Sequence, residues 1–222
     1  MNAREAILAA VKKNRPTPVV PLPDVYEPPW EGTLINLGYK EHFARLPEVA
    51  HPHGPNESLI PHFREQLEAM GGRSFEVANA AEANKKLADL FPNAKVVCSA
   101  VPEIPGTRRV ENVADPHELS DVDVGVVRST LGVGEAGAVW LTQAELVVNA
   151  LGVLSQHLIV LLDPKAIVET MHDAYRQIDL TRSPYGLFMA GPSATGDIEG
   201  VIIHGAQGAR SLTVLFLAPA AN

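Results

Sequence analysis

The chain has 222 residues, 46% of them hydrophobic and 20% charged, enough to bury a sizeable core in one domain. A formal net charge of −8 argues against nucleic acid or an anionic membrane as the main partner, because both select basic patches. The single cysteine, Cys98, excludes an internal disulfide and falls short of the four thiolates that normally hold an iron–sulfur cluster.

Residues 2–13 place Ala3, Ala6, Ile7, Ala10 and Val11 on one face of a short helix ending at Lys12 and Lys13, a pattern unlike a secretion leader. No uninterrupted apolar run, Leu158 to Leu162 among them, is long enough to cross a bilayer, so a cytoplasmic location is expected. Six prolines, at 16, 18, 21, 23, 28 and 29, keep the next stretch extended and outside any helix or central strand. Residues 1–32 therefore read as an N-terminal helix and arm, and residues 33–222 as one α/β domain. The arm fits a surface crossing anchored by Trp30, a link to another copy in a homo-oligomer, or a loose tail. A helix is expected around Lys40 to Leu46, and Pro47, Pro52 and Pro55 break the stretch after it. His51 and His53, with His62 nearby, have no Cys or acidic partner at ligand spacing, so no metal site is assigned.

From Leu59 the pattern becomes regular. Leu59 to Met70 reads as an amphipathic helix stopped by Gly71 and Gly72, and Ser74 to Val77 as a strand. Ala80 to Phe91 is a helix closed by Pro92, followed by buried strands over Lys95 to Ser99 and Val122 to Val127. Gln143 to Leu154 reads as a helix, His157 to Leu162 as a strand, and Pro164 as the opening of a further helix through Tyr175. This alternation predicts an open, mostly parallel α/β sheet with helices on both faces.

Gly132-Val-Gly134-Glu-Ala-Gly137 spells the G-x-G-x-x-G of a dinucleotide site, with Asp163 at a spacing suited to a ribose-binding acid. Two features oppose that reading. Arg-Ser-Thr-Leu separates the preceding strand from Gly132, and the residues after Gly137 form a strand pattern where the fingerprint needs a helix start.

The densest chemistry lies near the C-terminus. An apolar run stops at Gly191-Pro192, and Ser193, Thr195, Asp197 and Glu199 come next. The run Val201 to Ile203 leads to a second loop with Gly205, Gln207, Gly208 and Arg210, and Leu212 to Leu217 closes the fold. Two loops rich in glycine and polar groups, between apolar strands, are the pattern of a pocket rim, although Gly-Pro-Ser is also an ordinary turn. The loop lacks the Gly-Lys-Ser/Thr ending of a nucleotide-phosphate cradle.

Gly191-Pro-Ser193-x-Thr195-x-Asp197-Ile-Glu199, an apolar strand, then Gly205-x-x-Gly208-x-Arg210 resembles the C-terminal signature of the LUD domain, the lactate-utilisation family, in its LutC-like single-domain form. The match is densest over Leu187 to Leu217. This chain departs from the family by carrying Ala194 for a basic residue, Gln207 for histidine and Ala209 for proline. It also carries Glu135-Ala-Gly-Ala138 where the family shows Glu-Thr-Gly-Thr.

The resemblance implies a fold similar to the sugar-phosphate isomerase and CoA-transferase superfamily. It also implies a role in oxidising L-lactate to pyruvate together with iron–sulfur partner proteins, which carry the clusters this chain lacks. Expected substrate-binding residues for a small carboxylate, lactate or pyruvate, are Gly191, Ser193, Thr195, Gly205, Gln207 and Arg210. Arg210 would clamp the carboxylate, and Glu135 or Asp197 would serve as catalytic base. An accessory subunit is favoured over a self-sufficient enzyme. The alternatives are a CoA-transferase-like acyl transfer on Glu135, or a non-catalytic interaction subunit.

Overall fold

The computed structural model describes residues 3–13, 53–54, 58–179, 183 and 185–219. The proline-rich stretch, Trp30, His51 and the helix expected over 40–46 lie outside them. The chain divides into two units, Met1–Gly38 and Tyr39–Asn222. The first contains helix α1 (Ala3–Lys13), whose apolar Ile7 and Leu8 are exposed. No described helix is long and apolar enough to cross a membrane.

In the second unit, α2 (Ile60–Ala69) takes Pro61 in its first turn, where a missing N–H costs nothing. It stops at Met70 and Gly71, the latter left-handed at φ +84°. Strand β1 (Arg73–Glu76) comes next, then α3 (Ala80–Leu90), whose cap is Asn79 accepting from the Glu82 N–H. After β2 (Val97–Ser99) and the short β3 (Arg108–Arg109) come β4 (Val124–Ser129), β5 (Leu131–Val133) and β6 (Ala138–Thr142).

Where one helix was expected over residues 143–154 there are two single turns, α4 (Gln143–Leu146) and α5 (Leu151–Leu154). The β-branched pair Val147 and Val148 disfavours helix, and Val147 turns the chain at φ 60°. Strand β7 (His157–Leu162) lies where it was expected. The helix expected from Pro164 is likewise replaced, by a turn, strand β8 (Ile167–Val168) and α6 (Met171–Gln177). Here β-branched Ile167 and Val168 pair with β5, and the Thr170–Asp173 capping box starts the helix late. The C-terminal strands are β9 (Gly186–Met189), β10 (Ala194–Thr195), β11 (Ile203–His204) and β12 (Ser211–Phe216). Of the expected run Val201 to Ile203, only Ile203 joins a strand; Val201 and Ile202 are exposed.

The main sheet has the order β1-β12-β7-β4-β2-β3 and every pairing in it is parallel. Its central strands read as continuous apolar runs because both faces are covered. Leu158, Val160 and Leu162 of β7 pack with Phe63 and Leu67 of α2 and Leu151 of α5. Ile159 and Leu161 point the other way, toward Ala83 and Leu87 of α3. The observed architecture is the predicted open α/β sheet with helices on both faces. A second sheet, β8-β5-β6-β9, joins β5 and β6 in an antiparallel hairpin. The strands of the main sheet begin at Arg73, Ser211, His157, Val124 and Val97, which defines an amino edge; the opposite, carboxyl edge holds Glu76, Phe216, Leu162 and Ser129. Helix α2 spans the two. Phe63 in its first turn meets Phe216 edge-on at 5.7 Å, and its C-terminus feeds the first residue of β1.

Candidate functional site

The two signature loops fold together at the amino edge. Gly191 is left-handed at φ +72°, and a Cβ there would lie 2.2 Å from the Met70 carbonyl oxygen, so only glycine lets this loop close on the end of α2. The Ser193 N–H donates to the Ala209 carbonyl at 2.9 Å, and the Gly205 N–H donates to the Ser193 carbonyl at 2.9 Å, which ties the loops to each other. Between them and α5 lies a cleft of about 220 Å³ lined by Gly152, Met189, Gly191, Ser193, Gln207 and Gly208. Thr195 and Asp197 leave this cleft on the β10–β11 hairpin, where Asp197 is exposed and its N–H donates to Thr195 Oγ1 at 3.2 Å.

Arg210 lines a different cleft. Its N–H donates to the Gln156 carbonyl at 2.8 Å, and its aliphatic stem passes over Gly205, where a Cβ would lie 2.3 Å from Arg210 Cγ. Gly205 thus makes room for the arginine rather than for a ligand. The cleft, about 340 Å³, is lined by Phe91, Asn93, Asp123, Gln156, His157 and Arg210. Among the described residues, no hydrogen bond or ion pair engages the Arg210 guanidinium. His157 stacks on Phe91 with ring centroids 4.6 Å apart, and its Nδ1 is 2.8 Å from Ser211 Oγ. Burial first, then the charges of Arg73 and Arg210, push the His157 imidazole below its ordinary value, so it is neutral at pH 7. The Asp123 carboxylate accepts from the Lys95 and Val96 N–H groups at 2.7 and 2.9 Å. These two bonds, Val96 first, hold it below the usual carboxylate range. This leaves an uncommitted guanidinium, a neutral imidazole and an aromatic face, a combination that suits a carboxylate on a small apolar body.

Glu135 lies elsewhere. It comes after Gly134 in the β5–β6 turn, and its Oε1 accepts from the Met171 N–H at 2.6 Å while its own N–H donates to the Glu169 carbonyl at 2.9 Å. It therefore caps the start of α6. Arg128 does not reach it, but pairs with Glu103 at 2.7 Å and donates to the Leu217 carbonyl at 3.0 Å. The six expected binding residues and two expected bases thus do not form one pocket. Gly191, Ser193 and Gln207 share one cleft, Gly205 serves Arg210 in another, Thr195 and Asp197 occupy the hairpin, and Glu135 stands at the far end of α2.

Two groups escaped the sequence reading. His157 opens an otherwise apolar strand, a signal that was available. Glu169 gave none, being 116 positions from its partner: it is buried, and its Oε1 accepts from both the backbone N–H of His53 at 2.9 Å and the ring Nδ1 at 2.7 Å. The His53 and His62 rings lie 4.8 Å apart. Among the described residues no group of three or more His, Cys, Asp or Glu is placed to hold a metal ion. Cys98 is buried in β2, and burial pushes its thiol up, so it stays protonated. After Gly137 the chain runs directly into strand β6, and the Asp163 side chain accepts from the Lys165 N–H at a turn.

The family model of the LUD domain matches residues 107–217, half of the chain. The chain belongs to the LUD domain family. Its fold is similar to that in a crystal structure of a DUF162 family protein from Deinococcus radiodurans, at 19% identity and a TM-score of 0.55, over 72% of this chain and 96% of that one. No curated protein matches the chain. The LUD match spans the sheet from β3 to β12, including the β5–β6 hairpin and both signature loops.

Proposed function

We propose that this LUD-domain chain is a LutC-like, cytoplasmic subunit of an L-lactate utilisation system, binding lactate or pyruvate while iron–sulfur partner proteins carry the electrons. The observation that carries the reading is the Arg210 cleft. A guanidinium with no described partner, steered by Gly205 and flanked by neutral His157 and the Phe91 ring, offers a bidentate clamp for a short carboxylate. Its hydroxy or oxo carbon would then rest against the aromatic face. Oxidising a 2-hydroxy acid removes an electron pair with the C2 hydrogen and a proton from the hydroxyl, and the pair needs an acceptor. One buried, protonated Cys98 is no cluster ligand set, so this chain is read as handling the acid for a partner that accepts the electrons. Acyl transfer through Glu135 draws no support from a carboxylate engaged in capping α6. Deleting the gene in the source organism is expected to abolish growth on L-lactate and spare growth on pyruvate. Unimpaired growth on L-lactate would overturn the assignment.

A further inference from the structure

The Arg210 cleft contains an acceptor that the carboxylate clamp leaves unused. Asp123, Gln156 and Arg210 each stand one residue before β4, β7 and β12, neighbouring parallel strands in register at Val124, His157 and Ser211. Backbone bonds carry that register one step further. The His157 N–H donates to the Asp123 carbonyl at 3.0 Å, and the Arg210 N–H to the Gln156 carbonyl at 2.8 Å. Asp123 and Arg210 therefore flank β7 from its two sides, two strand spacings or about 10 Å apart at the backbone. Both line the one cleft, and among the described residues no ion pair joins them. A guanidinium that only donates and a carboxylate that only accepts thus stand on either side of His157.

Asp123 is only half committed. Its Oδ2 accepts from the Lys95 and Val96 N–H groups, and no hydrogen bond or ion pair engages its Oδ1 among the described residues. Held below the usual carboxylate range, the group is ionised at neutral pH, a good acceptor and a poor base. Its charge does not close the cleft to an anion. Arg73 and Arg210 act on His157 and Lys95 acts on Asp123, against two carboxylates, Asp123 itself and Asp121. What an ionised carboxylate does select is the group on the second carbon of an acid. A C2 hydroxyl donates to it, whereas a C2 ketone brings lone pairs against lone pairs.

We propose that Asp123 Oδ1 is the specificity-determining group of the Arg210 cleft: it accepts the C2 hydroxyl of a short 2-hydroxy acid whose carboxylate lies on Arg210, so the cleft prefers the hydroxy acid to the oxo acid. The inference rests on the acid-binding reading of this cleft and narrows it. The chain holds the reduced acid and lets the oxidised one go. No bond is made or broken at Asp123, which binds and orients.

The test is calorimetric titration of the full chain with L-lactate, pyruvate and propionate, which share a carboxylate and differ at C2. Wild type is expected to bind L-lactate about tenfold or more tighter than either other acid, as one hydrogen bond to a charged group allows. Asp123→Asn keeps an oxygen for the Lys95 and Val96 N–H groups and offers the ligand an amide donor. That variant, its fold checked by circular dichroism, should bind pyruvate at least as tightly as L-lactate. The comparison of the three acids on wild type stands whether or not the variant folds. Wild type that binds L-lactate no tighter than pyruvate or propionate overturns this inference alone, as does a folded Asp123→Asn that keeps the wild-type preference. Failure of wild type to bind any of the acids, or binding unchanged in Arg210→Gln, overturns the acid-binding reading and this inference with it.

Discussion

The two ends of the fold carry opposite chemistry. Two left-handed glycines let loops close on the last turn of α2: Gly137, whose Cβ would lie 2.2 Å from the Leu67 nitrogen, and Gly191, whose Cβ would lie 2.2 Å from the Met70 oxygen. The amino edge carries Arg210, the charge of Arg73 and a neutral His157; the opposite side carries Glu135, Glu169 and two imidazoles. Helix α2 carries His62 near its start and receives the Gly191 loop at its end, whereas the Arg210 cleft is lined from Phe91, Asp123, Gln156 and His157, so the two sets of charges stay apart. That separation is why a carboxylate base and a carboxylate clamp do not meet in one pocket here.

The largest effects should come from the two glycines that close on α2. Gly137→Ala and Gly191→Ala each combine a strained left-handed backbone with a backbone clash, for an expected loss of about 3 kcal/mol or more. In thermal unfolding that is a fall of roughly 6 °C or more for a domain of this size. A loss below about 1 kcal/mol in either variant would show that the glycine is not what closes its loop on α2. Glu135→Ala should cost about 1 kcal/mol, the value of one exposed helix-start bond. Normal stability in that variant would return Glu135 to the list of groups free for chemistry.

Acidification should distinguish the edges further. His157 titrates below its unfolded value of 6.5, so the unfolded chain binds its proton first. Stability should accordingly fall as pH drops below about 6.5, and level off once the folded imidazole is also protonated. Arg210→Gln removes one of the charges that depress His157, so its titration by proton NMR should move upward. An unmoved titration would detach Arg210 from the cleft. The smallest effect is expected for Asp197→Asn, within about 0.5 kcal/mol, because this exposed side chain makes no described contact; a larger shift in the unfolding midpoint would point to a structural role on the hairpin.

The fold was legible wherever local chemistry and tertiary demand agreed. Helix Ile60–Ala69 ends at the paired glycines that sequence singles out, Ala80–Leu90 ends before Pro92, and His157–Leu162 is an apolar run buried along nearly its whole length. It was not legible where apolar periodicity fits two states. Val147 and Val148 sit in a helical pattern but break it, and Ile167 and Val168 leave a helical pattern to pair with β5. The signature loops were found from sequence, but their internal division was not. Spacing shows Gly205 and Arg210 five residues apart; only the fold shows that the glycine clears the arginine's path into a cleft with Phe91 and His157. The pairing of His53 with Glu169 has no local signature, since parallel crossovers bring together residues more than a hundred positions apart.

The most direct test of the central claim is calorimetric titration of the purified chain with pyruvate and L-lactate, on wild type, Arg210→Gln and His53→Asn. Saturable binding is expected for wild type and for His53→Asn, and its loss in Arg210→Gln with the fold intact. Binding that survives in Arg210→Gln, or is lost only in His53→Asn, would contradict it and move the acid to the other edge of the sheet.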